Sequence, residues 1–157
     1  MQPFRVNKDA QEKFFKHLYD QKAFRIGFDA FYFCFIAGIT TRKKEKLSND
    51  ETDELVAYFP DKYSSRGKLL LGLFLKTELE LLGVSIDERK QVHTSIASLV
   101  NPEGNFLSND GVDEFNKYAH GGYEQLVEWF EEPPRSLETF LRSFKRKIDA
   151  VNNELAV

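Results

Sequence analysis

The sequence is poor in the features that mark secreted, disordered and membrane-spanning chains. It has one cysteine, Cys34, so no disulfide can form within it. Its first residues do not show the basic start and following apolar stretch of a secretory signal. Proline and glycine number only five and nine among 157 residues, which argues against a disordered chain. The most apolar run, FDAFYFCFIAGI at 28 to 39, is shorter than the roughly 20 residues that span a bilayer. We therefore expect a folded, cytoplasmic protein that does not bind membranes.

A strong positive charge is also lacking. The formal net charge is -3 and the sequence pI is about 5.7, so the chain lacks the basic character of a protein that binds nucleic acid through bulk charge. Any contact with DNA would therefore need a local basic patch on the surface.

Aromatic residues, by contrast, are abundant. Fifteen Phe and six Tyr bring the aromatic fraction to 14% with the single Trp, so we expect much of the core to consist of packed rings. A chain of 157 residues is long enough for one hydrophobic core and short for two. This length predicts one domain over residues 1–157.

The spacing of apolar residues predicts an all-α fold, a single compact domain of six or seven helices. The segment 28 to 39 is apolar on nearly all sides and predicts the central buried helix, with a buried strand as the alternative. The stretch SSRGKLLLGLFLKTELELLG, at 64 to 83, predicts a long and largely buried helix that ends at Gly83. The segments 28 to 39 and 66 to 82 should form the middle of the fold.

Five further helices are predicted from residues able to cap a helix N-terminus. The first two are a surface helix after Asn7, with Phe14, Phe15 and Leu18, and a short helix over 50 to 58. The third follows a capping box of Ser85 and Glu88 and carries Val92, Ile96, Leu99 and Val100 toward the core, and the fourth is a glycine-containing helix from Ser108 or Asn109 to Pro133. The last follows Ser136 and has these apolar residues on one side: Leu137, Phe140, Leu141, Phe144, Ile148 and Val151. No convincing strand is found.

No constellation of residues predicts catalysis, a metal site or a cofactor. Asp61, Glu88 and Lys90 formally fit a PD...ExK nuclease pattern, but Glu88 falls in the first turn of a predicted helix and is interpreted as a capping residue.

Three histidines occur, at His17, His93 and His120. None has a second His or Cys at the spacing of a helical zinc site. Cys34 lies among aromatic residues and is interpreted as a packed core thiol.

Two basic clusters are candidate binding surfaces for nucleic acid or for an acidic partner protein. The first follows the central helix and consists of Arg42, Lys43, Lys44 and Lys46. The second lies on the last helix and consists of Arg142, Lys145, Arg146 and Lys147. Clusters of this size are also typical of a solvated helix face, and that interpretation stays open beside phosphate contact.

The stretch DEFNKYAHGGYEQLVEWF, at 113 to 130, is amphipathic but holds two adjacent glycines, Gly121 and Gly122. Together with FDAFYFCFIAGITTRKK, an aromatic helix followed by a glycine and a basic loop, it resembles a family of small proteins associated with bacterial DNA phosphorothioation (Dnd) systems. The family has Tyr-Ala-Asn-Gly-Gly where this chain has Tyr-Ala-His-Gly-Gly, so His120 departs from the pattern. The resemblance covers about residues 25 to 130.

The resemblance implies an accessory role. Members of the family are encoded beside genes that place sulfur on the DNA backbone or that restrict unmodified DNA, and no catalytic residue can be carried over to this chain. The glycine pair should either pack against a neighbouring helix or admit the backbone of a partner protein. The residues expected to contact a neighbour there are Tyr118, His120, Gly121, Gly122, Tyr123 and Trp129.

We therefore expect a non-enzymatic accessory or adaptor protein of a phosphorothioation-linked phage-defence system. Its expected partners are other proteins of a defence or DNA-modification complex, with DNA as a further candidate, and no cofactor is expected. Two alternatives stay open, a metal-dependent nuclease that uses Asp61, Glu88 and Lys90 and a helical regulatory module with no nucleic-acid role. The sequence carries no signal for an oligomeric state.

Overall fold

The computed structural model describes residues 2–155, and this part of the chain is predominantly helical, as the sequence predicts. Six α-helices lie within it. They are α1 (Lys16–Asp20), α2 (Gly27–Thr41), α3 (Ser64–Leu81), α4 (Arg89–Ala97), α5 (Asn109–Trp129) and α6 (Leu137–Leu155). One π-helical segment, Ala10–Phe14, and two 3₁₀ turns, Asn49–Glu51 and Asp61–Tyr63, complete the helical elements of residues 2–155. No helix within those residues has both the length and the apolar character needed to cross a membrane.

A small antiparallel sheet corrects the prediction that the chain has no strand. Strand β1 (Arg5–Asn7) pairs with β2 (Thr52–Glu54), with Val6 opposite Asp53. Each strand has three residues, which is too short for the alternation by which a sequence announces a strand. Val6 is fully buried, so burial of its side chain together with pairing to a distant segment stabilises the strand.

Two predicted helices take other forms for the same reason. Asn7 ends β1, and its Oδ1 accepts a hydrogen bond from the Asp9 N–H (2.9 Å), so the chain turns into the short π-helical segment and α1 instead of one surface helix. The expected helix over 50 to 58 is replaced by the 3₁₀ turn Asn49–Glu51, which Ser48 caps, and by β2. In both places the small sheet includes residues that the sequence assigned to a helix or to its cap.

The described residues group into two compact units, the first made of 2–4 and 56–115 and the second of 5–55 and 116–155. Helix α3 belongs to the first unit and α2 to the second. The predictions of one domain and of a middle shared by these two helices stay predictions.

The first unit has a core of aromatic rings. The ring centroid of Phe115 lies 5.3 Å from that of Phe74 on α3 and 5.5 Å from that of Phe4. Helix α3 ends as predicted, because Gly83 has φ 71°, the Val84 N–H donates to the Leu79 carbonyl and the Gly83 N–H donates to that of Glu80.

Two predictions for this unit are wrong. Helix α4 begins at Arg89, after the proposed capping box, because the Glu88 N–H donates to the carbonyl of Ser85 in a turn. It contains no buried residue, and its apolar side chains, with those that follow it, are only half-buried: Val92, Ile96, Leu99 and Val100. Helix α3 is also more exposed than predicted, since the Leu69 side chain on its outer face is 63% exposed.

In the second unit α2 is the buried helix that the sequence predicts. Asp29, in the first turn of α2, stabilises the start of the helix, because its Oδ2 accepts hydrogen bonds from the N–H groups of Arg25 (2.8 Å) and Ile26 (3.1 Å). Rings of α2 pack on α6, where the centroid of Phe33 lies 5.1 Å from that of Phe140. The fully buried residues of α2 include Phe31, Cys34 and Phe35.

The last two helices begin where the sequence places them. Ser108 precedes α5, and its Oγ accepts a hydrogen bond from the Gly111 N–H (3.0 Å). Ser136 precedes α6, and its Oγ accepts one from the Thr139 N–H (3.2 Å). The apolar face predicted for α6 is buried only in part, because Phe140 and Phe144 are buried while Leu141 is 41% exposed.

Candidate functional site

The glycine pair lies inside an uninterrupted helix that touches α2 backbone to backbone. A Cβ on Gly122 would overlap the carbonyl oxygen of Cys34 and would lie 2.7 Å from the backbone nitrogen of Gly38. Conversely, a Cβ on Gly38 would overlap the carbonyl oxygen of Tyr118. The two helices cross so closely that no side chain fits at either glycine, which explains why α5 accepts the low helix propensity of glycine here.

Gly121 makes room for a different neighbour. A Cβ on this residue would overlap the carbonyl oxygen of Lys43 and would lie 2.9 Å from the backbone nitrogen of Lys44. The pair therefore serves two contacts within the chain, Gly122 against α2 and Gly121 against the basic loop that follows it. Close packing is a property of this structure, and a role of the pair in binding a partner stays a prediction.

The basic loop, residues 42 to 46, is bound to α5. The Glu45 N–H donates to the carbonyl of Lys117 (3.0 Å), and the Lys44 ammonium lies 5.1 Å from the ring centroid of Tyr118. The Lys43 ammonium lies 3.7 Å from a carboxylate oxygen of Glu124 and 3.8 Å from one of Glu128.

These contacts engage Lys43 and Lys44, two of the four basic side chains that the sequence predicts as a binding patch. Arg42 is half-buried, has φ 57° and donates from Nη1 to the carbonyl of Thr40 (2.9 Å), whereas Lys46 is exposed. A phosphate group would have to compete with two carboxylates for Lys43 and with an aromatic face for Lys44.

The second basic cluster, on α6, is exposed. Arg142 pairs with Glu138 (2.7 Å) and Lys145 with Asp149 (2.5 Å), each one turn away on the same helix. Arg146 and Lys147 are exposed and make no ion pair within residues 2–155. Exposed pairs at this spacing contribute only about 0.3–0.5 kcal/mol, so all four side chains can turn toward an external anion.

His120, the residue that precedes the glycine pair, is buried. The side chain is 5% exposed, and its Nδ1 is buried without a hydrogen-bond partner in the described chain. Burial, and to a smaller extent the charge of Arg5, lower the pKa of His120 to about 4, while Glu51 acts in the opposite direction. The imidazole is therefore neutral at neutral pH.

The aromatic residues around the glycine pair have different environments. Tyr118 is fully buried and its ring meets that of Phe35 edge-on at 6.2 Å. Tyr123 is half-buried against Phe14, and burial raises the pKa of its phenol to about 12. Trp129 is half-buried at the last residue of α5, about two turns beyond the glycines. The structure thus brings the two tyrosines to the crossing and leaves the tryptophan at the helix end.

The residues of the nuclease pattern do not lie on neighbouring strands. Asp61 begins a 3₁₀ turn, Glu88 immediately precedes α4 and Lys90 is the second residue of that helix. Within residues 2–155 no group of three or more His, Cys, Asp or Glu side chains is placed to hold a metal ion. Cys34 is fully buried, and burial raises the pKa of its thiol, so it is a packed core residue as predicted.

One exposed surface, the outer face of α3 around Gly72, was not predicted from the sequence. An apolar run, LLLGLFL, suggested a helix buried on most sides, and only the wide spacing of Lys68, Gly72 and Lys76 along one face signals an exposed stripe.

No protein-family model, curated protein or solved structure matches the chain.

Proposed function

We propose that the chain is a non-enzymatic accessory or adaptor protein of a bacterial DNA phosphorothioation-linked phage-defence system. It acts in the cytoplasm through contacts with other proteins of that system, without a membrane partner. The proposal begins from the resemblance of its aromatic helix, basic loop and Tyr-Ala-His-Gly-Gly stretch to small proteins of such systems.

One structural observation supports the proposal. The two stretches that carry the resemblance are more than seventy residues apart in the sequence, yet they form one contact in the second unit. Gly122 lies on the carbonyl of Cys34, Gly121 on that of Lys43, and Lys44 on the ring of Tyr118. The two stretches therefore belong to one structural unit of the fold, which is the arrangement that the resemblance requires.

An adaptor fits the chemistry better than an enzyme does. The buried thiol of Cys34 and the neutral, buried imidazole of His120 are both withdrawn from solvent. The exposed features are apolar and charged side chains on helices, which are the groups that protein interfaces use. Any contact with DNA is made by the exposed cations of α6, because the loop lysines are engaged with α5.

Co-purification tests the proposal directly. The tagged chain is mixed with each purified protein of a reconstituted phosphorothioation system after nuclease treatment, so that DNA cannot bridge them. We expect at least one protein to bind with a dissociation constant of about 1 μM or lower. An unrelated DNA methyltransferase of similar charge serves as the control. Failure to bind any protein of the system, with the chain folded by circular dichroism, overturns the proposal.

A second measurement separates the adaptor from the nuclease alternative. Plasmid with and without phosphorothioate linkages is incubated with the chain and Mg²⁺, and we expect no cleavage of either. Cleavage that is lost in Glu88→Ala would replace the adaptor with a metal-dependent nuclease. Binding to a protein of the system with indifference to both DNAs would leave the adaptor and remove its contact with DNA.

A further inference from the structure

The outer face of α3 points away from the core of the first unit and leaves apolar area exposed. On the core side Phe74 is fully buried and Leu70 is 1% exposed. On the outer face the Leu69 side chain is 63% exposed, and Gly72 is exposed about one turn further along the helix. A helix face that served only to meet solvent would carry polar side chains at these positions.

Gly72 is the feature that a surface helix does not explain. Glycine is among the least favourable residues in a helix interior, so it needs a reason. Other glycines of the described chain have one, because an added Cβ would meet neighbouring atoms within 4 Å or because φ is positive. At Gly72 φ is not positive and an added Cβ would meet nothing within 4 Å. The space over this glycine is therefore open to something outside the chain.

Gly72 lies in a shallow seam along α3 that has one leucine and one lysine on each side. At 3.6 residues per turn, Lys76 and Leu69 lie about 40° and 60° to one side of Gly72. Lys68 and Leu75 lie about 40° and 60° to its other side. Both lysines are exposed, and the aliphatic stem of a lysine covers the surface beside it. The glycine therefore leaves a notch between two rows of longer side chains.

About two turns beyond Gly72 the seam leads into a groove. Leu79 lies about 20° from Gly72 around the helix and about 10 Å from it along the axis. The groove there has a volume of about 290 Å³ and is lined by Lys76, Leu79, Glu80, Val84, Ser85 and Ile86. Ile86 is 72% exposed, so the groove has an apolar edge. The notch and the groove are two places along one seam that can receive apolar side chains.

The charges beside the seam are positive. Lys68 and Lys76 are exposed and make no ion pair within residues 2–155. Between Ser64 and Leu79 the sequence has one carboxylate, that of Glu78, and this residue is buried. A segment that lies in the seam therefore meets apolar surface and two ammonium groups.

We infer that this seam binds an amphipathic helix of a partner protein that is acidic on both flanks. Two large apolar residues of that helix, spaced seven residues apart, enter the notch over Gly72 and the groove beside Leu79, as in helices that pack side by side. Carboxylates on its two flanks face the ammonium groups of Lys68 and Lys76. The chain already contains a close approach of this kind, because Gly122 of α5 lies against the backbone of α2.

The apolar area favours a protein over a nucleic acid as the occupant. A phosphate backbone would pair with the two lysines, but it would offer no apolar surface to Leu69 and Ile86. The inference deepens the adaptor proposal, on which it rests for the partner being a protein. It adds the chemistry of the segment that the adaptor binds.

A designed peptide tests the site. It has about 18 residues, which is long enough for a helix to form outside a protein, with two leucines seven residues apart and glutamates on both flanks. The control peptide has lysines in place of the glutamates. We expect the acidic peptide to bind with a dissociation constant of about 50 μM or lower, about tenfold or more tighter than the control peptide. Fluorescence anisotropy of labelled peptides measures both affinities.

Charge variants assign the binding to the seam. Lys68→Glu with Lys76→Glu should weaken binding of the acidic peptide about tenfold or more and should strengthen binding of the control peptide. Arg146→Glu with Lys147→Glu on α6 is the matched control, because it changes the net charge equally. It should have little effect on either peptide.

Gly72→Leu tests the notch separately from the charges. The side chain has room in the chain and favours helix, so the variant should fold, which circular dichroism checks. It should nevertheless weaken binding of the acidic peptide about tenfold or more, because it fills the space that the leucine of the peptide needs.

Three results would overturn the inference. They are equal affinity for the two peptides, no binding of the acidic peptide at about 100 μM, and binding that the α3 variants leave unchanged. Tighter binding of a short DNA duplex that Lys68→Glu with Lys76→Glu abolishes would also overturn it, because the seam would then be a phosphate site. None of these measurements uses a protein of a phosphorothioation system. Their failure therefore removes the helix site, while co-purification still decides the adaptor proposal.

Discussion

Gly122 of α5 lies against the carbonyl oxygen of Cys34 on α2, at a crossing where the two helix backbones are in contact. The crossing sets the position of the basic loop as well, because the neighbouring Gly121 faces the backbone of Lys43. Both contacts are possible only because glycine has no side chain, since an added Cβ would overlap the neighbouring backbone. They explain how an amphipathic helix can contain two consecutive glycines in its middle and remain continuous.

Gly122→Ala should destabilise the chain by about 2 kcal/mol, because its methyl group would force the crossing apart in a well-packed core. Unfolding by urea, followed by circular dichroism, measures the change. Gly72→Ala is the matched control, since it also replaces a mid-helix glycine but meets no atom, and it should stabilise the chain by up to about 1 kcal/mol. Equal effects of the two substitutions would contradict the close crossing.

His120 should make stability depend on pH. Its pKa is about 4 in the folded chain against 6.5 for an unperturbed histidine, so the unfolded state binds more protons between these values. Stability from this residue is therefore complete above about pH 6.5 and is lost as the pH falls toward 4, by about 2 kcal/mol at pH 5 and about 3 kcal/mol in full.

The comparison of variants isolates this effect from the carboxylates that also titrate at low pH. His120→Asn, which removes the titratable imidazole but keeps a polar side chain, should lose about 2 kcal/mol less than the parent between pH 7 and pH 5. His93→Asn, at an exposed position of α4, should lose as much as the parent. Denaturant unfolding at both pH values gives the two differences, and parallel curves for parent and His120→Asn would show that the imidazole is not held neutral.

The sequence predicted the fold class and the long helices because their apolar periodicity is strong over many turns. The stretches that became α2, α3, α5 and α6 each offer more than ten residues of consistent pattern, with a capping residue or a terminal glycine at one end. The three-residue strands offer none, and they form because Val6 is buried and the backbone of Arg5–Asn7 pairs with Thr52–Glu54. Such long-range pairing is not encoded in either segment alone.

The candidate site was also predictable only in part. The glycine pair was visible as an anomaly in an amphipathic pattern, and two outcomes for it could be named. The engagement of Lys43 with Glu124 and Glu128 could not be foreseen, because those carboxylates are about eighty residues away and their position depends on the crossing at Gly122. A charge run in a sequence therefore does not reveal whether its charges are already neutralised within the fold.

The loop lysines should contribute to stability. Removing the cation–π contact of Lys44 and the ion pairs of Lys43 together should cost about 1 kcal/mol, because both side chains are half-buried against α5. The double variant Lys43→Ala with Lys44→Ala is compared with Lys147→Ala, which has no such partner in residues 2–155, by urea unfolding at low and high salt. The ion-pair part should shrink at high salt, and a double variant as stable as the control would mean that the loop is merely solvated.

The two basic clusters should differ in their effect on DNA binding. Arg146 and Lys147 are exposed and have no carboxylate partner in the described chain, so they can replace counterions on a phosphate backbone. Replacing both by alanine should weaken binding to different DNA sequences alike and should make the slope of log affinity against log salt shallower by about 1.8, or about 0.9 for each phosphate that is no longer neutralised. Lys43→Ala with Lys44→Ala removes the same charge from the loop and should change the slope little, because those cations already face Glu124, Glu128 and Tyr118.

Fluorescence anisotropy with a short duplex over a range of salt concentrations measures both slopes. A larger change from the loop variant would assign DNA binding to the loop, and the absence of binding by the parent near 100 mM salt would assign both clusters to protein contacts or to solvent.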